Sequence, residues 1–295
     1  MTIFLTGASG FVGKSIKKYL NNSFQFSEFN RQEEIKIKED IVLHFAGKAH
    51  DLKKVSKPDS YYQINTDLTK KVFDAFLDSE AKVFIILSSV KAVADVIKYE
   101  LTENVIPHPI TDYGKSKLLA EQYILSKPIP YGKRVYILRP SMIHGPGNKG
   151  NLNLLYNIVS KGYPWPLGKF INKRSFCSID NLCFIIKELI ENHQIKTGIY
   201  NIADDEPVST NEIICLIAKL QNKTIRIWNI PKFLICIFAN IGDILRFPLN
   251  TERLQKLSET YIVSNKKIKE AINKSLPYST KVGLLKTIKS FNHNA

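Results

Sequence analysis

The chain opens with a short apolar run that ends at Leu5, passes through a glycine-rich turn, Gly7-Ala-Ser-Gly10-Phe-Val-Gly13, and enters a helical stretch through Leu20. Phe24 to Phe29 reads as a second strand, and apolar runs recur at Ile41 to Phe45, Lys82 to Leu87 and Arg134 to Leu138. Short segments that are apolar at successive rather than alternate positions are buried on both faces, which predicts parallel strands. Between them the period changes. Tyr61 to Ser79 places Ile64, Leu68, Val72, Ala75 and Phe76 on one helical face, and Tyr113 to Ser126 forms a second helix. Alternating strands and helices predict an α/β fold, a Rossmann-type doubly wound parallel sheet.

After Pro140 the texture shifts to turn-rich segments, His144 to Asn148 and Tyr163 to Gly168, and from Val208 it is mostly helical. The expected division is residues 1–142 with about 176–203 as a dinucleotide-binding Rossmann domain, and 143–175 with 204–295 as a smaller, mainly helical substrate-binding domain. Lys232 to Leu245 is strongly apolar but shorter than the ~20 residues that span a bilayer. It is expected to be a core helix, with a peripheral membrane foot as the alternative.

The 295 residues are 44% hydrophobic and 23% charged, the balance of a soluble globule. No signal-peptide pattern follows Met1, and the chain is expected to be cytoplasmic. Cys177, Cys183, Cys215 and Cys236 form no CxxC pair, and no histidines stand at zinc spacing, so neither a metal nor a disulfide is expected. The formal charge is +15, yet only seven of the 42 basic residues are Arg, and the lysines are scattered. That argues against nucleic-acid readout, while the basic field would draw in an anionic substrate such as a nucleotide diphosphate.

Three motifs carry chemistry. A strand, then Gly7-x-x-Gly10-x-x-Gly13, then a helix is a dinucleotide-binding arrangement: the glycines admit a pyrophosphate to the backbone, and the helix N-terminus supplies positive dipole. The overlapping Ala8 to Ser15 resembles a triphosphatase loop, but Ala8 stands where that loop needs Gly. At the end of the second strand Arg31 has no acid immediately beside it, which leans the expected cofactor to NADP over NAD. Tyr113 and Lys117 are four apart on a helix, so the ammonium is expected near the phenol, lowering its pKa for acid/base work. Upstream, Ser88-Ser89 ends a buried strand, where a hydroxyl can hold a reacting oxygen.

With these residues the chain resembles the extended short-chain dehydrogenase/reductases, the NAD-dependent epimerase/dehydratase family. The matching elements are Thr6 to Gly13, His44-Phe-Ala-Gly47, Asn65-Thr66, Leu87-Ser-Ser89, Tyr113-x-x-x-Lys117, Leu138-Arg-Pro140, His144-Gly-Pro-Gly147 and Arg174 to Asp180, in the family's order. The resemblance implies that Gly7, Ser9, Gly10, Phe11, Val12 and Gly13 hold the cofactor pyrophosphate. Phe45, Ala46, Gly47 and Pro140 would line the cofactor, with Asn65 supporting the site. Tyr113 is implied as acid/base, Lys117 as the ligand of the nicotinamide ribose, and Ser89, ahead of Ser88, as the holder of the reacting oxygen. Arg174, with Arg253 second, would bind the diphosphate of a nucleotide-sugar, and Asn148 and Asn151 fall in the substrate loop. The segment from Arg31 to Asp40 is shorter than in the family, so the third strand is cut down to about Ile35–Ile37.

Members that dehydrate at C6 carry an Asp-Glu pair where this chain has Val90-Lys91, so dehydration is not expected. Ser-Ser-Val-Lys91 and the loop through Asn148 and Asn151 resemble reductases of UDP-4-keto-6-deoxy-N-acetylhexosamines that serve surface polysaccharide synthesis. Lys48, after Gly47, also resembles UDP-hexose or UDP-N-acetylhexosamine 4-epimerases. A non-catalytic NAD(P) sensor is the distant alternative, and a homodimer through the helices 61–79 and 113–126 is implied.

Overall fold

A computed structural model describes residues 1–30, 32, 34–48, 57–147, 151–245 and 250–291, Asn151 through its backbone. Arg31 and Asn148 lie outside the described residues. The chain divides into two compact units, 1–141 with 179–203 and 263–277, and 142–178 with 204–262 and 278–295.

The first unit is built on a six-stranded, all-parallel sheet of β1 (Thr2–Thr6), β2 (Gln25–Glu28), β3 (Ile41–His44), β4 (Val83–Leu87), β5 (Arg134–Pro140) and β8 (Gly198–Ile202), in the order β2-β1-β3-β4-β5-β8. The chain reverses its direction of travel across the sheet between β1 and β3. A switch point of this kind opens a crevice at the carboxyl ends of the two strands. Residues 34–38 form no strand, and Ile37 instead packs with Phe4 and Val42. The described part of the shortened segment thus contributes Ile37, with the partly buried Ile35 beside the same cluster, rather than a strand.

Alternate strand residues serve opposite faces. Phe4, Val42, Phe84, Ile86, Val135 and Ile137 meet Val72, Phe73, Phe76 and Ile124 of the helices α3 (Leu68–Asp78) and α4 (Asp112–Leu125). The helices α1 (Phe11–Leu20) and α6 (Ile179–Glu191) pack together. The helix predicted over 61–79 departs from regularity: α2 (Asp59–Tyr61) runs through a π-helical turn, Tyr62–Asp67, into α3.

Residues 263–277, assigned above to the second domain, pack with the first unit. Ile268 and Ile272 of α10 (Lys266–Ile272) are buried, the Asn265 side chain donates to the Ala203 carbonyl, and Lys274 pairs with Glu188 of α6 at 2.8 Å.

The second unit contains the strand pair β6 (Met142–His144) and β7 (Phe176–Ser178), with α5 (Asn151–Ser160), α7 (Thr210–Leu220), α8 (Lys232–Leu245), α9 (Thr251–Ser258) and α11 (Thr280–Lys289). Its core joins Leu155, Trp165, Phe176, Ile214, Ile217 and Leu284. The expectation that α8 is a core helix fails. Only Ile235, Ala239 and Gly242 of that helix are buried, and its other large apolar side chains are exposed.

Candidate active site

The glycine turn sits at the carboxyl end of β1, against the carboxyl end of β3. Gly7 adopts φ +75°, and a Cβ there would lie 2.6 Å from the Ala46 nitrogen. At Gly13 a Cβ would come within 2.2 Å of the Gly7 carbonyl oxygen. Only Gly fits either position, because the turn is wound on itself and pressed onto the Phe45-Ala46 backbone. Thr6 fixes that contact, accepting from the Ala46 N–H at 3.1 Å and bonding the His44 ring at 2.8 Å. Gly10 then caps α1, whose first turn carries no acidic side chain. A positive helix terminus free of local carboxylates and approached by bare backbone fits a dinucleotide pyrophosphate. Ser9 is exposed, and Phe11 and Val12 are half-buried at the start of α1.

His44 is enclosed between the hydroxyls of Thr6 and Thr69, and burial lowers its pKa to about 3. It is therefore a neutral structural link between β1, β3 and α3.

At the end of β4, three consecutive residues each engage one residue of α4. The Lys117 ammonium donates to the Leu87 carbonyl at 2.8 Å, Ser88 donates to the Glu121 carboxylate, and Ser89 and Tyr113 are hydrogen-bonded through their side chains. Residues 113, 117 and 121 are spaced i, i+4, i+8 and so form one stripe of the helix. Gly114 permits the approach: a Cβ there would lie 2.4 Å from the Lys91 carbonyl oxygen. Thr111 caps α4, and Ser89 caps the short turn Val90–Ala92 by accepting from the Lys91 N–H at 3.2 Å.

Of the two serines, Ser88 is committed to Glu121, and Ser89 meets the phenol. This removes Ser88 from the substrate-binding set expected above.

The expected lowering of the phenol is also corrected. Burial raises the Tyr113 pKa above that of an ordinary phenol, against a smaller lowering by the Ser89 bond. Lys117 is itself buried, which lowers its pKa to about 8, with Glu121 one turn away opposing the fall.

Gly47 lies against the amine: a Cβ there would be 3.0 Å from Lys117 Nζ and 3.2 Å from Asn65 Oδ1. Asn65, fully buried in the π-helical turn, accepts from the Lys48 N–H at 2.8 Å and donates to the Lys48 carbonyl and to Ser116 Oγ. A π turn inserts an extra residue and re-aims side chains, a device common at functional sites. Here it lets Asn65 and its neighbour Thr66 both bond α4, Thr66 through the Ser116 carbonyl at 2.8 Å. Lys48 donates to Ser60 at 2.7 Å, and Lys91 to the Asp95 carbonyl at 2.6 Å. Pro140 is the buried last residue of β5.

Glu121 and Arg139 were missed by the sequence reading. Both are almost fully buried and form a two-pronged ion pair, with contacts of 3.0 and 2.6 Å, that ties α4 to β5. The i+8 spacing from Tyr113 and a charged residue inside an otherwise apolar strand were the available signals.

The remaining candidates belong to the second unit. Arg174 donates to the Lys256 carbonyl and pairs with Glu259 at 3.3 Å; burial lowers its pKa. Arg253 is exposed on the first turn of α9. Among the described residues, no group of three or more His, Cys, Asp or Glu is placed to hold a metal ion.

The comparisons agree with this picture. The chain is 28% identical over 320 aligned positions to a UDP-glucose 4-epimerase of Vibrio cholerae, covering 98% of this chain and 95% of that one. It is 26% identical over 314 positions to the N-acetyl-alpha-D-glucosaminyl-diphospho-ditrans,octacis-undecaprenol 4-epimerase of Escherichia coli O157:H7, covering 97% and 94%. The solved UDP-glucose 4-epimerase of Thermotoga maritima, with UDP-glucose, shares the fold with a TM-score of 0.75 at 20% identity, covering 100% of this chain and 99% of that one. The family described as the NAD dependent epimerase/dehydratase family matches residues 3–203, which include the glycine turn and the Ser89, Tyr113 and Lys117 cluster, and the chain is an enzyme belonging to that family.

Proposed function

We propose that the chain transfers hydride at C4 of the sugar of a nucleotide-sugar, and that its physiological direction is reduction of the C4 keto group of a UDP-4-keto-6-deoxy-N-acetylhexosamine. The observation that carries the chemistry is the convergence of Ser89, Tyr113 and Lys117 at the carboxyl end of β4. The direction rests on the likeness of Ser-Ser-Val-Lys91 and the loop through Asn148 and Asn151 to C4 reductases. Tyr113, whose proton burial retains, is suited to donate it to the sugar oxygen. Reduction consumes one proton at O4, and Ser89 steadies that oxygen while Tyr113 delivers it.

Gly7, Ser9, Gly10, Phe11, Val12 and Gly13 would hold the pyrophosphate, Phe45, Ala46, Gly47 and Pro140 the rest of the cofactor, and Lys117 its ribose hydroxyls. NADPH is the preferred form in this reading, and when bound it supplies the hydride. Arg174 and Arg253 would bind the substrate diphosphate, with Asn148 and Asn151 on the sugar.

A second reading, 4-epimerisation, is favoured by the two relatives that align over 98% and 97% of the chain, both named as 4-epimerases. One experiment separates the two. With a UDP-4-keto-6-deoxy-N-acetylhexosamine, the purified chain is expected to oxidise one NADPH per sugar reduced, followed at the nicotinamide absorbance. Interconversion of C4 epimers with no net cofactor change would establish the second reading. Inactivity on both substrate classes would remove C4 chemistry.

The pH profile is expected to carry the signature of Lys117. Its ammonium is present below about pH 8 and is lost as pH rises through that value, so kcat/KM falls on the alkaline side. Tyr113, raised by burial, stays protonated beyond this limb. Glu121→Gln removes a neighbour that raises the Lys117 pKa and is expected to move the limb to lower pH. A limb that stays in place in Glu121→Gln would take Lys117 out of the profile.

A further inference from the structure

We propose that the exposed face of α8 is a docking surface for an anionic lipid bilayer, on which the helix lies in the membrane plane. At 100° per residue, Phe233, Ile237, Phe238, Ile241, Ile244 and Leu245 sweep an arc of about 140°, and the buried stripe Ile235, Ala239 and Gly242 lies opposite. The arc is open: Phe233 is 64% exposed, Phe238 60% and Ile244 80%. An ordinary surface helix turns its bulky apolar side inward. Here the side that holds Ala239 and Gly242 with the single bulky Ile235 is packed, and the side with most of the bulky side chains is presented to the surroundings.

The surroundings of the helix identify the occupant. From Ile213 to Gly242 the chain carries Lys219, Lys223, Arg226 and Lys232 and no acidic residue. Arg226 and Trp228 are exposed on the strand-like segment that feeds the helix, alternating with the half-buried Ile225 and Ile227. Trp165 and Leu167 pair with Ile227 and Asn229, and the Gly168 N–H donates to the Trp228 carbonyl at 3.1 Å. This brings exposed Lys169 and Ile171 (85% exposed) beside the same segment, and the Lys232 ammonium stands 5.7 Å from the Phe170 ring centre. The single acid of α8, Asp243, projects outside the apolar arc.

An apolar arc entered through cations and an exposed Trp has the composition of a helix seated at the boundary of headgroups and acyl chains. A second copy of the chain fits less well, because self-pairing of this face would bring its cations against their own kind. Fourteen residues give a helix of roughly 21 Å, less than the ~30 Å hydrocarbon core, so the helix rests on the bilayer and does not cross it.

The full-length chain is to be floated with phosphatidylcholine vesicles and with vesicles of phosphatidylcholine and phosphatidylglycerol. Recovery is expected to be at least about tenfold higher with the anionic vesicles. Ile241→Asp, at the centre of the arc, is expected to abolish flotation while leaving NADPH binding and the thermal midpoint unchanged. Arg226→Glu with Lys232→Glu is expected to lose the preference for phosphatidylglycerol with the apolar face intact. Failure of the unmodified chain to float with either vesicle overturns the proposal, as does flotation of Ile241→Asp equal to that of the parent. A lipid-free dimer that Ile241→Asp converts to monomer also overturns it, making the face a contact between copies. These readouts need no turnover, so they are independent of the C4 reading.

Discussion

Arg139→Met is expected to destabilise the chain by about 3–5 kcal/mol. The guanidinium and the Glu121 carboxylate are 3% and 1% exposed, and each is the other's main charge partner. Removing the arginine strands a carboxylate in a dry site, hydrogen-bonded to the Ser88 hydroxyl. The loss is that of an uncompensated buried charge rather than of a favourable pair, so the double variant Glu121→Leu with Arg139→Met is expected to recover most of it. Urea unfolding of the parent and the two variants checks the claim. A single variant within about 1 kcal/mol of the parent would show that water reaches the pair. Because Glu121 shares its helix stripe with Tyr113 and Lys117, the variant is also expected to loosen the register between α4 and the end of β4.

The second large effect is catalytic. Tyr113→Phe is expected to lower kcat by about 10²–10⁴-fold with little change in KM. The substitution removes one oxygen and leaves the ring that meets Tyr61 edge-on at 6.2 Å, so packing around the site is preserved. A steady-state comparison with unchanged thermal unfolding makes the assignment. A variant retaining most of the parent kcat would exclude the phenol as the proton donor.

What the sequence revealed and what it hid follow from different physics. The β1, glycine turn and α1 unit was legible because steric exclusion at Gly7 and Gly13 leaves one residue type possible. That Tyr113 and Lys117 share one face of α4 was legible because four residues is about one helical turn. The paired roles of Ser88 and Ser89 were not, because successive residues at a strand end point to different partners and only the helix opposite decides which. Glu121 and Arg139 stayed hidden for a related reason: a charge looks like surface until its partner from a distant element is seen. The fate of α8 was misjudged because periodicity reports that a face is apolar, not what covers it. The C-terminal segment Val263–Pro277 was misassigned because its attachment depends on contacts with residues 62 to 86 positions earlier, such as Asn265 with Ala203 and Lys274 with Glu188.

The over-wide turn at Tyr62–Asp67 has a consequence for how the chain tolerates change in length. Deleting one residue there would restore a regular spiral, leaving the flanking turns in phase but re-aiming the side chains within the turn itself. Asn65 would then swing away from Gly47 and Ser116, and the loop after β3 would lose its anchor. Single-residue indels at this point are therefore expected to be rejected, whereas substitutions on the outer side of the same helix leave the phase of Asn65 untouched.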